Sequence, residues 1–211
     1  MTTVFLVRHG RTGWNKEQVF RGHKDVPLDE VGREEARLVG ERLKREGIKA
    51  VFSSPLSRAR ETAEAVARSH NVEVQIVEGL IDLHFGDWEG LSLKEVQKQY
   101  SDLYAQWQGA PHKVIFPGGE GLAAVRSRAI KAVEKIVERH PQEAVALVSH
   151  RVVLKVLICA LLGLDNSHFW NIRQDNCGFT TFTYETNRFI LTKHNDTSSL
   201  PSLYKAMLVD F

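Results

Sequence analysis

The chain has 211 residues, of which 43% are hydrophobic and 26% charged, with a formal net charge of +2. That length suits one domain, residues 1–211, able to bury a sizeable core. The near-balanced charge gives no ground for a nucleic-acid or membrane partner. The two cysteines, Cys159 and Cys177, lack any CxxC spacing and read as packed, reduced thiols of a cytoplasmic protein. Met1-Thr2-Thr3 lacks the basic start of a secretory signal, and the longest apolar run, 152–164, carries Lys155 and is too short for a bilayer.

Apolar strands alternate with amphipathic helices along the chain. Val4-Phe5-Leu6-Val7 reads as a buried strand that ends abruptly in Arg8-His9-Gly10. Residues 13–28 read as a loop-rich connection. Asp29 is a good cap for a helix over 30–46, with Gly47 as its stop. A strand at 50–53 meets Ser54-Pro55, which predicts an N-cap and a first-turn proline for a helix reaching about residue 69. Residues 72–77 alternate like a strand, and 80–91 are loop-like. One helix is predicted over 93–107, a glycine- and proline-bearing loop over 111–121, and a helix over 122–140. The apolar run 144–149 predicts a strand leading into His150-Arg151 and a helix ending near Gly163. Segments 178–184 and 189–193 form a hairpin through Thr186-Asn187 in this reading. The alternation predicts an α/β fold: a three-layer α/β/α sandwich with a mostly parallel central sheet.

Three strand ends share one peculiarity. The first delivers Arg8-His9, the second delivers Arg58 one turn into its helix, and the strand at 144–149 delivers His150-Arg151. A cation at a helix N-terminus opposes the helix dipole, typically by a few tenths to about 1 kcal/mol. A bound anion would reverse that sign, with helix amides, dipole and cations acting together. Phosphate matches the arginine fork well. His23, His70, His112, His140, His168 and His194 read instead as surface or satisfied core histidines.

These residues also carry a family resemblance. Arg8-His9-Gly10-x-Thr12 with Trp14-Asn15 resembles the signature of the histidine phosphatase superfamily, the phosphoglycerate mutase-like fold. The likeness continues through Gly22-His23-x-Asp25-x-Pro27-Leu28 and Ser53-Ser54-Pro55-Leu56-x-Arg58-Ala59-x-x-Thr62-Ala63. Phe85-Gly86-x-Trp88-Glu89-Gly90, Gly118-Gly119-Glu120 and Val148-Ser149-His150 follow in order, so that it spans roughly residues 3–193.

The resemblance implies phosphoryl transfer through a phosphohistidine, with no metal and no cofactor. His9 would attack phosphorus as a neutral imidazole while Arg8, Arg58 and His150 surround the phosphate oxygens. The family usually places a glutamate, as acid and then base, where this chain has Asp82; Glu89 is the less favoured substitute. Asn15, Arg21, Gly22 and Arg151 are implied in substrate binding. Arg21 stands where glutamine or threonine is common and would supply a cation that Val19 does not. Arg151 follows the second histidine, where a small residue is usual, and would narrow or charge the mouth.

The partner implied is a small phosphorylated metabolite. Cofactor-dependent mutases of the family carry a longer insertion with paired arginines before the Gly-Gly-Glu segment. Here that connection is short and has no Arg-Arg pair, which favours hydrolysis over the alternative, a phosphoglycerate mutase. A non-catalytic phosphate-binding module is the further alternative. His84, His112, Lys113 and Arg151 are candidates for gripping a second anionic group. The tail 195–211, with Leu200, Leu203, Tyr204, Met207 and Leu208, reads either as an arm packed on the body or on a second subunit of a homodimer, or as a flap over the site.

Overall fold

The computed structural model describes residues 1–201. Among them the strands are β1 (Thr2–Arg8), β2 (Ile48–Ser53), β3 (Val74–Ile76), β4 (Ala144–Ser149), β5 (Phe179–Glu185) and β6 (Arg188–Asp196). They form one sheet in the order β3-β2-β4-β1-β5-β6. The first four run parallel, and β5 and β6 are antiparallel additions at one side. Because β1 and β4 lie centrally and are covered on both faces, their sequences are almost wholly apolar.

The helices are α1 (Gly13–Lys16), α2 (Glu30–Leu43), α3 (Ser57–Arg68), α4 (Leu93–Gln99), α5 (Ser101–Gly109), α6 (Leu122–Arg139) and α7 (Arg151–Leu161). On one face of the sheet, Ala36, Val39 and Leu43 of α2 and Ala59, Ala63 and Val66 of α3 pack on Phe5, Val7, Val51 and Val148. On the other, Val133 and Val137 of α6 and Val153, Leu157 and Ile158 of α7 cover Val4, Leu6, Val145 and Leu147. The α/β/α layering expected from the sequence is therefore present. The second face also carries a buried aromatic cluster, with Trp88, Trp107 and Phe116 at its centre. Each such ring contributes roughly 2–3 kcal/mol by leaving water.

Several boundaries differ from the sequence reading, each for a local reason. Helix α3 begins at Ser57 with Leu56 as its N-cap, not at Ser54-Pro55. Its first turn is capped from a distance: Asp25 Oδ1 accepts from Ser57 N and Ser57 Oγ, both at 2.8 Å. The single helix expected over 93–107 breaks at Tyr100 (φ −132°, ψ 40°), whose ring packs on Trp88. Strand β3 is shorter than 72–77, and a short helical turn, α1, interrupts the connection after β1. The hairpin turn is where expected, with Thr186 and Asn187 both at positive φ.

Of the tail, residues 195–200 pack on the body. Asn195 Nδ2 donates to Asp175 Oδ2 at 2.9 Å, and Leu200 is buried beside the α2–α3 layer. Leu203, Tyr204, Met207 and Leu208 lie outside the described residues.

Candidate active site

The parallel pairing of β1 with β4 aligns Arg8 with Ser149, so the next residues, His9 and His150, emerge side by side. Their ring centroids are 5.2 Å apart, and both rings are buried. This is the carboxyl edge of a parallel sheet, where α/β folds bind ligands. His9 Nδ1 lies 2.7 Å from Gly10 O. A carbonyl only accepts, so Nδ1 carries the proton and Nε2 keeps its lone pair. Burial first, then the cations Arg58, Arg21 and Arg8, hold the His9 pKa well below the ordinary 6.5. The ring is a neutral imidazole at pH 7.

Arg58, on the first turn of α3, has no exposed surface. Its Nε donates to His150 Nδ1 at 3.3 Å and its NH1 to Lys24 O at 2.9 Å. Its NH2 donates to Gly22 O at 2.8 Å and to Asp82 Oδ2 at 3.2 Å. His150, the N-cap of α7, completes its bonding by donating from Nε2 to Ser54 Oγ at 2.7 Å. Burial, Arg58 and His9 lower its pKa well below the usual value. Ser54 is thus a support for His150 rather than a helix cap. Arg8 NH1 donates to Gln174 O at 2.6 Å.

Arg21 carries an electrostatic penalty. It is buried, and its pKa is pushed well down by burial first and then by Arg58 and Arg8. Its Nε and NH1 are buried without a hydrogen-bond partner. A buried cation with unpaired donors is costly unless an anion joins it. With Asp82, Arg151, Val19, Phe20 and Phe85 it lines a small recess.

Asp82 lies in the cluster where the resemblance put the acid. Its Oδ2 is also 3.6 Å from His150 Nδ1, and its Oδ1 accepts from Leu83 N at 2.9 Å. Glu89, the less favoured candidate, is committed elsewhere: its Oε1 accepts from His23 N at 2.9 Å and Phe85 N at 3.1 Å. Gly22 is at φ +49°, and a Cβ there would lie 2.1 Å from Glu89 Oε1. A glycine is therefore required to aim the Gly22 carbonyl at Arg58. Asn15 is oriented by Thr12, whose N and Oγ1 both donate to Asn15 Oδ1 at 3.0 Å. Arg151 is buried at the start of α7, near enough to Arg21 to depress its pKa.

Some residues escaped the sequence reading. His23, taken there as bland, donates from Nε2 to Asp82 O at 2.9 Å and packs its ring 4.5 Å from that of His84. Arg128 gathers the same loop, donating to Gly79 O, Ile81 O and Asp82 O, and is paired with Glu120 at 2.8 Å. Asn176 Nδ2 donates to His9 O at 3.0 Å. His84 touches the cluster through its ring contact with His23. His112 and Lys113 are exposed on a turn that packs against residues Asn166–Asn171, and the structure does not bring them to the cluster. Among the described residues, no group of three or more His, Cys, Asp or Glu side chains is placed to hold a metal ion.

The family model described as histidine phosphatase superfamily (branch 1) matches residues 4–197. The chain belongs to the histidine phosphatase superfamily. It is 36% identical over 204 residues to phosphoserine phosphatase 1 of Hydrogenobacter thermophilus, covering 97% of each chain. Among solved structures, Bacillus stearothermophilus YhfR superposes with a TM-score of 0.91 at 34% identity, over 94% of this chain and 99% of that one. A phosphoserine phosphatase of Entamoeba histolytica, solved with phosphoserine, superposes with a TM-score of 0.86 at 27% identity, over 95% and 100%. The protein is a histidine phosphatase, a phosphomonoester hydrolase acting on small phosphorylated metabolites through a phosphohistidine. No helix among the described residues is long and apolar enough to cross a membrane.

Proposed function

We propose that this phosphatase hydrolyses a small phosphorylated amino or hydroxy acid of the phosphoserine type, with His9 as nucleophile and Asp82 as acid and base. The observation that carries this reading is the buried Arg21, whose unpartnered Nε and NH1 lie beside Arg8, Arg58 and the neutral His9. A phosphate group supplies the missing negative charge and acceptors in one step.

His9 Nε2 attacks phosphorus, the bond to the ester oxygen breaks, and that oxygen leaves with the Asp82 proton. Asp82, now a carboxylate, takes a proton from water, whose oxygen attacks the phosphohistidine and releases phosphate and free His9. Arg8, Arg21 and Arg58 neutralise the equatorial oxygens during both transfers. His150 holds Arg58 and Asp82 in register, and Asn15 and Gly22 shape the floor. Arg151, together with His84, takes the carboxylate of the substrate. The short connection ahead of Gly118-Gly119-Glu120, which has no Arg-Arg pair, supports hydrolysis rather than mutase transfer. Two buried, unpaired thiols, Cys159 and Cys177, suit the cytoplasmic location read from the sequence.

Turnover of phosphoserine, 3-phosphoglycerate and a neutral alkyl phosphate, with chelator present, tests the reading. The two carboxylated substrates should be preferred, and His9→Ala should abolish turnover. Preference for the neutral ester would overturn the substrate assignment, and activity surviving in His9→Ala would overturn the nucleophile.

A further inference from the structure

The peptide group joining Gly10 to Arg11 is held from both sides. Its carbonyl accepts the His9 Nδ1 proton at 2.7 Å, and its N–H donates to Glu35 Oε2 at 2.7 Å. Both distances are at the short end of the N–H···O range. Glu35 is buried on α2 and so stands on the Nδ1 side of the imidazole. Helix α2 can approach this closely because Gly10 and Gly32 lack side chains: a Cβ on Gly10 would lie 2.4 Å from Gly32 O.

We infer that Glu35 is a positioning residue for phosphoryl transfer, its carboxylate acting on His9 through the Gly10–Arg11 peptide. The inference rests on the reading of His9 as nucleophile. A carboxylate on the peptide N–H polarises the amide and makes its oxygen a stronger acceptor for Nδ1–H. That bond holds the tautomer with a free Nε2. It also favours the positive charge that spreads over the ring as Nε2 bonds to phosphorus.

A merely structural tie between α2 and the loop is already present. Asp29 accepts from Gly32 N and from Arg11 Nε, each at 2.8 Å, while Asp29 N donates to Arg11 O at 3.1 Å. A glutamine could accept the Arg11 N–H equally well. What glutamate adds is charge, and that charge is kept at a penalty: burial pushes the Glu35 pKa up to about 7. The charged and titratable groups around it are Arg11, Arg8 and Asp29, with the Cys177 thiol, itself pushed up by burial and by Glu35.

Glu35→Gln keeps the acceptor and removes the charge. In rapid-quench experiments with p-nitrophenyl phosphate at pH 8, phosphohistidine formation should slow about tenfold while KM stays within about twofold. Hydrolysis of the phosphoenzyme should not slow, because a less stabilised ring is the better leaving group. The His9 Nδ1 proton resonance should move upfield as its hydrogen bond weakens, and Glu35→Asp should restore part of the rate. In wild type, formation should rise with pH through about 7; a flat profile overturns the relay, even where Glu35→Gln does not fold. Wild-type rates in Glu35→Gln overturn the relay alone. A wild-type enzyme that forms no phosphohistidine overturns His9 as nucleophile and the relay with it.

Discussion

Arg58 NH2 donates to Asp82 Oδ2 at 3.2 Å, tying helix α3 to the loop that follows β3 inside a buried site. The pair places Asp82 within the buried cluster, as the proposed role of acid and base requires. Arg58 comes forward from α3, and Arg128 and His23 draw the Asp82 backbone inward by its carbonyl.

Asp82→Asn should therefore expose the proton transfer. With an alcohol leaving group, as in phosphoserine, turnover should fall on the order of 10²–10⁴-fold. With p-nitrophenyl phosphate, whose leaving group needs no proton, the burst of nitrophenol should fall far less. Equal losses on both substrates would show that Asp82 is not the acid.

Arg21 should be a stability liability without ligand. Arg21→Met removes a buried cation with unpaired donors, so the free protein should gain roughly 1–2 kcal/mol in chemical denaturation. Inorganic phosphate should raise the Tm of wild type more than that of the variant. A variant destabilised and still fully protected by phosphate would contradict this placing of the charge.

Arg128 holds the loop that carries Asp82, and its effect on the reaction is expected to run mainly through that loop. Arg128→Ala strands the carbonyls of Gly79 and Ile81, leaves the Asp82 carbonyl with His23 alone and removes the cation paired with Glu120. The expected loss is roughly 2–4 kcal/mol of stability. At permissive temperature kcat should fall with the alcohol substrate more than with p-nitrophenyl phosphate, the same signature as Asp82→Asn in weaker form. A pure KM effect would place Arg128 with substrate binding instead.

The scaffold and the clustering of Arg8, His9, Arg58 and His150 were legible because both rest on short-range patterns. Val4–Val7 and 144–149 read as buried strands from apolar runs, and a cation or histidine at each run's end pointed to the sheet edge. The supports were hidden because their partners lie far along the chain. Nothing local to His23 signals that its ring meets the Asp82 carbonyl 59 residues on, or that Asn176 reaches the His9 carbonyl across 167. Ser54 misled for a related reason. Ser-Pro is a sound cap signal, but tertiary contact gave the cap to Asp25 and turned Ser54 toward His150.

Glu35 links reactivity to stability, and the sign of the link can be worked out. Its pKa in the folded protein, about 7, lies above the ordinary 4.5 that the unfolded chain recovers. Between those values the folded state keeps a proton that the unfolded state has released. Stability contributed by this group therefore falls as pH rises from about 4.5 to about 7, and the penalty is complete above that window. The rise from 4.5 to about 7 corresponds to on the order of 3 kcal/mol. Glu35→Gln does not titrate, so its advantage over wild type should be small at pH 4.5, grow through the window and level off by pH 8. Urea denaturation of both proteins at these two pH values measures it. The variant should be the more stable and the slower enzyme at pH 8, the trade expected where a strained charge is kept for reactivity. A stability gap that does not change between the two pH values would mean that Glu35 ionises like an exposed carboxyl, and the charge behind His9 would then carry no cost to offset.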